Sequence, residues 1–192
     1  HSCNILLIDE TFNRLSSDAR RALLQDKDAL ITPLKDTCLC VSTADCVPIL
    51  LHDTIHGAVA AIHAGWRGTA LGIAGKAVAA MTDAFGCRPE HIQAAIGPNI
   101  GDCCFQTDGD VPAAMVKSFG PAAEEFIRAN GEKFYVNLKA INALALRRAG
   151  VSHIEISESC TWCESHRFWS HRVTGAARGS QGAVIVCREA TP

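Results

Sequence analysis

Residues 42–68 read STADCVPILLHDTIHGAVAAIHAGWRG, and their pattern decides how the chain is built. Two apolar runs, 47–51 and 58–62, have strand length and β-branched character, and six polar or turn-forming residues (52–57) separate them. Antiparallel strands joined by so short a turn bring the chain back to where it left. Cys46, at the start of the first strand, and His63, at the end of the second, then lie at one edge of the sheet, a thiol beside an imidazole. His52 and His56 fall in the distal turn, away from that pair and in solvent. Asp45 precedes the thiol, and strand alternation points it the other way unless the bend before Pro48 turns it inward, where it would orient a ligand or act as an acid or base.

After His63 comes Ala-Gly-Trp-Arg-Gly-Thr, with glycines for a tight turn, the Arg67 guanidinium suited to phosphate or carboxylate, and Thr69 as a helix cap. The spacing of apolar residues predicts a helix over 69–85, ended by Gly86. Working outward, strands are predicted at 5–8, 29–32, 38–41, 92–96, 153–157 and 183–186. Helices are predicted at 14–28, in two pieces over 111–129 broken at Gly120 and Pro121, and at 138–149 with Asn137 as N-cap. The loop after 92–96, Gly97 to Cys104, cannot be helical and is a place to build a site. With no repeat or linker in 192 residues, these elements make one α/β domain, a mixed sheet covered by helices.

Composition narrows the function. Eighteen basic and 20 acidic residues leave a net charge of −2 with no basic cluster, which argues against nucleic acid or an anionic membrane as partner. No apolar run spans a bilayer and the first twenty residues do not read as a secretory signal, so a soluble, cytoplasmic protein is expected. Ten cysteines stand out, and in a chain that can build a core without disulfides most are expected reduced and buried. Cys160 and Cys163 form a lone C-x-x-C, and the adjacent Cys103 and Cys104 do not readily face one metal, so a four-cysteine site is not expected.

Four blocks in order, TADCVPILL (43–51), AAIHAGWRGT (60–69), IGPNIGDCCF (96–105) and SCTWCESHRFWSHRVTG (159–175), resemble the laccase-domain family, also called YfiH-like or polyphenol oxidase and associated with purine nucleoside phosphorylase activity. The resemblance spans nearly the whole chain and implies one laccase-like domain over 1–192, an α-β-β-α sandwich short of some of the family's N-terminal residues. It implies a zinc site of His1, Cys46 and His63, His1 standing where the family has a ligand ahead of the first strand. Three protein ligands and an open fourth position mark a catalytic zinc. It also implies substrate contacts from Arg67, Asn99 and Arg172; His171 replaces a more usual aromatic. The implied reactions are phosphorolysis of adenosine, inosine and methylthioadenosine, and deamination of adenosine, for which zinc acidifies a water.

Other chemistries fit the same residues. Copper suits a Cys-plus-two-His ligand set, but the eight histidines include no His-x-His pair, so the coppers of a full laccase have no ligands. Cys46 with His63 as its base could serve a metal-free cysteine hydrolase. A purely structural metal module would close the ion with four protein ligands.

Overall fold

The computed structural model describes residues 2–188. The chain opens with β1 (Ile5–Leu7), helices α1 (Glu10–Asn13) and α2 (Ser17–Leu24), and β2 (Ala29–Thr32). Of the helix predicted over 14–28 only Ser17–Leu24 forms, and α1 lies ahead of that range, because two side chains cap separate starts: Asp9 accepts from the N–H of Phe12 and Ser16 from that of Ala19. No residue of α2 is buried, so its apolar side is not a core face.

Next come β3 (Cys38–Thr43), β4 (Val47–Asp53) and β5 (Val59–Ala64). The central hairpin forms in the register that pairs Ile49 with Ile62 and Pro48 with His63. β4 runs two residues beyond the predicted end because His52 pairs with Val59 on one side and Gln93 on the other. His52 therefore belongs to the ladder rather than the turn. His56 stays in the turn, half exposed, its Nδ1 3.2 Å from an oxygen of Asp53.

The single helix predicted over 69–85 is two, α3 (Trp66–Ala70) and α4 (Ile73–Phe85). Gly72 separates them at φ +74°, a left-handed conformation that breaks the helix and favours glycine. Gly65 is the cap of α3, and Thr69 lies buried within it, its hydroxyl accepting from Asn142 Nδ2 at 2.9 Å. α4 buries Ile73, Ala74, Ala77, Val78 and Met81, the 3.6-residue stripe read from the sequence, and stops at Gly86.

The second half holds β6 (Ile92–Ile96), β7 (Gln106–Thr107), α5 (Asp110–Phe119), β8 (Ile127–Asn130), β9 (Lys133–Val136), α6 (Leu138–Arg148), β10 (His153–Ile156), α7 (His171–Thr174) and β11 (Gln181–Val186). Where a second helix was expected before 129, a 3₁₀ segment (Gly120–Phe126) leads into β8, which finds its ladder partner in β9. Asn137 caps α6 as predicted, accepting from Ala140 at 3.0 Å.

Six strands form one mixed sheet in the order β1-β2-β5-β4-β6-β10, parallel at β1–β2 and β6–β10 and antiparallel elsewhere. Its centre, β4 and β5, is buried on both faces, as continuous apolar runs require. Against one face pack α4 and α6, with Met81, Ile141 and Leu146 closing the core. Against the other lies the antiparallel pair β3–β11, which buries Leu39 and Val41 on Val59 and Ala61. β7, β9 and β8 make a small separate sheet. The whole is a mixed α/β domain of sheets and helices. Among the described residues no helix is long and apolar enough to cross a membrane.

Candidate active site

At the open end of the hairpin lies a cavity of about 600 Å³, a size ordinary for a small-molecule site. Cys46, one residue before β4, and His63, next to last in β5, both line it. His1 lies outside the described residues.

Two carboxylates back the pair. Asp28, just before β2, places its Oδ1 2.8 Å from His63 Nδ1, and its carbonyl accepts the His63 backbone N–H at 2.7 Å. Nδ1 is then the protonated nitrogen and Nε2 the one with a lone pair for a cation, the arrangement that carboxylates impose on metal-binding histidines. The other oxygen of Asp28 accepts from the Ser2 backbone N–H and, at 3.0 Å, from its hydroxyl. Burial works to raise the Asp28 pKa, but the hydrogen bonds from His63 and Ser2 outweigh it and hold the carboxyl below its usual value. Sequence reading missed Asp28, which it had left at the tail of a charged helix.

Asp45 does turn inward. Its φ of +85° is rare for a non-glycine residue, and it is 7% exposed. One oxygen accepts from Thr161 Oγ1 at 2.6 Å and the other from the Arg172 backbone N–H at 2.8 Å, while its carbonyl accepts from Ile100 at 3.0 Å. Asp45 thereby ties the start of β4 to both loops that wall the cavity. Burial, with the Asp45 carboxylate adding to it, pushes the Cys46 thiol up to about 11.

Three guanidinium groups, those of Arg67, Arg172 and Arg178, line the cavity. Arg67 lies over the Trp66 ring, 4.2 Å from its centre, and Arg172 over Phe105 at 5.1 Å, where it also donates to the Gln106 carbonyl at 3.0 Å. Arg178, which carries no sequence signature, donates from Nε to His171 Nδ1 at 3.1 Å. Against these cations the lining holds one carboxylate, Asp45, so the cavity is built for an anion. Arg67 sits in α3, a helix of five residues. Asn99 is fully buried and is not part of the lining; its Nδ2 donates to the Ile100 carbonyl at 2.7 Å, and its backbone holds Thr161.

The cysteines depart from expectation. No disulfide joins any of the ten, but only Cys87, Cys160 and Cys187 are buried. Cys103, Cys104, Cys160 and Cys163 meet at one corner with all four sulfurs within 4.8 Å of one another. Adjacent positions did not keep Cys103 and Cys104 apart, because the chain turns sharply at 102–104.

A family model described as multi-copper polyphenol oxidoreductase laccase matches residues 1–188. A protein named adenosine deaminase RL5, from an unknown prokaryotic organism, is 41% identical over 183 residues, which cover 93% of this chain and 69% of that protein. A purine nucleoside phosphorylase of Bacteroides thetaiotaomicron is 37% identical over 182 residues, covering 93% and 67%. The crystal structure of the hypothetical protein YfiH of Bacillus licheniformis has a TM-score of 0.90 at 31% identity, covering 98% of this chain and 72% of its own. That of YlmD from Geobacillus stearothermophilus gives 0.88 at 34%, covering 98% and 71%. The chain belongs to the laccase-domain family, the multi-copper polyphenol oxidoreductase laccases.

Proposed function

We propose that the chain carries a zinc-dependent purine nucleoside phosphorylase site acting on adenosine, inosine and methylthioadenosine. The observation behind this reading is the meeting of Cys46, His63 and three arginines in one cavity. The relatives named purine nucleoside phosphorylase support the substrate class. A thiolate and an imidazole presenting Nε2 suit zinc, and the resemblance makes His1 the third ligand. Zinc bound there would supply Lewis-acid polarisation of a substrate oxygen.

In phosphorolysis a phosphate oxygen bonds to the ribose C1′ while the bond to the purine nitrogen breaks, and the base takes up the proton that hydrogen phosphate releases on becoming the ester. Arg67, Arg172 and Arg178 would hold the phosphate by charge-assisted hydrogen bonds. The rings of Trp66 and Phe105 steady two of these guanidinium groups and bring apolar surface to the purine. Because His171 Nδ1 accepts from Arg178, its Nε2–H is left as a donor that can hydrogen-bond the departing base. Asp28 orients His63, and Asp45 keeps the wall in place.

A second activity, deamination of adenosine, has its support in the relative of that name. The metal-free hydrolase asks His63 to take the proton of a Cys46 thiol that burial pushes up to about 11. Polyphenol oxidation by a copper cluster lacks ligands: among the described residues only His63 and His171 bring imidazoles to the cavity.

Incubating inosine or adenosine with and without phosphate tests the proposal. Hypoxanthine or adenine should appear together with ribose 1-phosphate, only when phosphate is present, and not with Cys46→Ala. Arg178→Ala should raise the KM for phosphate about 10- to 100-fold, the worth of one lost hydrogen bond to a charged group, with a smaller change for the nucleoside. Free base formed without phosphate, or by Cys46→Ala at the original rate, would remove the reading. Inosine formed from adenosine reports the deaminase activity separately.

A further inference from the structure

β6 and β10 are parallel neighbours, Ile96 opposite Ile156, so both leave the sheet at the same edge. The pairing continues past their ends through Asn99 and Cys160, and the Thr161 N–H donates to the Asn99 carbonyl at 3.0 Å. The loop after β6 contributes Cys103 and Cys104, and the loop after β10 contributes Cys160 and Cys163. Cys163 Sγ lies 3.4 Å from Cys104 Sγ and 3.7 Å from Cys103 Sγ. Four thiolates around zinc, at about 2.3 Å each, lie about 3.8 Å apart along the edges of the tetrahedron. The sulfurs are therefore close to that arrangement.

Backbone donors support it. Cys160 Sγ accepts from the Gly101 N–H at 3.2 Å and from the N–H groups of Trp162 and Cys163, two and three residues ahead in the C-x-x-C turn. Packing does not explain the cluster, since Cys103 and Cys163 are exposed.

We propose that Cys103, Cys104, Cys160 and Cys163 hold one zinc ion in a closed four-thiolate site that fastens the loop after β6 to the loop after β10. The ion is structural, with no position left for substrate, and is separate from the one assigned to Cys46 and His63. Its effect reaches the cavity because both fastened loops wall it: Phe105 follows Cys104, and Thr161, between the paired cysteines, holds Asp45.

The Cys46→Ala protein, purified with zinc in the growth medium, removes the thiolate of the cavity site and leaves the corner intact. Elemental analysis should find about one zinc per chain, and zinc-edge X-ray absorption should show a shell of four sulfurs near 2.3 Å. Adding Cys163→Ser should weaken zinc retention against a chelator about 10- to 100-fold or more. Should that variant not fold, iodoacetamide labelling of the Cys46→Ala protein gives the answer: zinc should shield these four cysteines, and chelation should expose them. A Cys46→Ala protein without zinc, a shell containing nitrogen, iron in place of zinc, or a disulfide within the cluster would each overturn the proposal. Loss of phosphorolysis alone leaves it standing, and loss of corner zinc alone leaves the cavity reading standing.

Discussion

His63 shows how much one distant residue decides. On its own the imidazole offers either nitrogen; Asp28, 35 residues earlier, fixes which one faces an ion. Replacing Asp28 by Asn removes the charge and should weaken zinc binding at the cavity about 10- to 100-fold, read by competition with a chromogenic chelator in protein whose corner cysteines are left intact. Unchanged affinity would mean that Asp28 does not position the ring. The same carboxylate links stability to pH. Its folded pKa is lowered, so its contribution is complete above its unfolded value of about 4 and is lost as pH falls through the folded one. Acid unfolding of Asp28→Asn should accordingly depend less on pH below about 4. Cys46 and His63 were legible in the sequence because each ends a strand of one hairpin. Asp28 was not, because only the pairing of β2 with β5 brings it to His63.

Elements were legible where local chemistry set them and illegible where a partner did. Asn137 announces α6 by its own side chain, and the stripe from Ile73 to Met81 announces the inward face of α4. β8 and β9, four residues each, were missed because strands so short exist only through their pairing. The cysteine corner was missed for the same reason, since it needs the parallel neighbours β6 and β10. Gly72 was also passed over, although it separates α3, which carries Arg67, from α4. A Cβ there meets nothing within 4 Å, so the cost of Gly72→Ala is purely conformational. It should be about 1–2 kcal/mol, the price of a left-handed alanine, seen as a lowered Tm. An unchanged Tm would show that the break does not depend on glycine.

Over the whole molecule, the core and the site share β4 and β5: strands buried on both faces end in the residues that line the cavity. Ile62 is fully buried opposite Ile49 and immediately before His63. Ile62→Ala should cost about 2–5 kcal/mol, measured as a shift in the urea midpoint at constant slope; a cost below about 1 kcal/mol would mean that this layer repacks freely. Sequence alone indicated one α/β domain with a mixed sheet because strand-length apolar runs are interspersed with helical periodicities, and the α-β-β-α layering was implied by the family resemblance. It did not show which loops meet over the cavity, since Asp45 joins Thr161 and Arg172 across more than a hundred residues.

The central claim is that Cys46 and His63 share an ion on the cavity wall. Anomalous diffraction at the zinc edge, from crystals grown with zinc, tests it directly. A peak about 2.3 Å from Cys46 Sγ and about 2.0–2.1 Å from His63 Nε2 is the predicted result; zinc at the cysteine corner with none between Cys46 and His63 would contradict it.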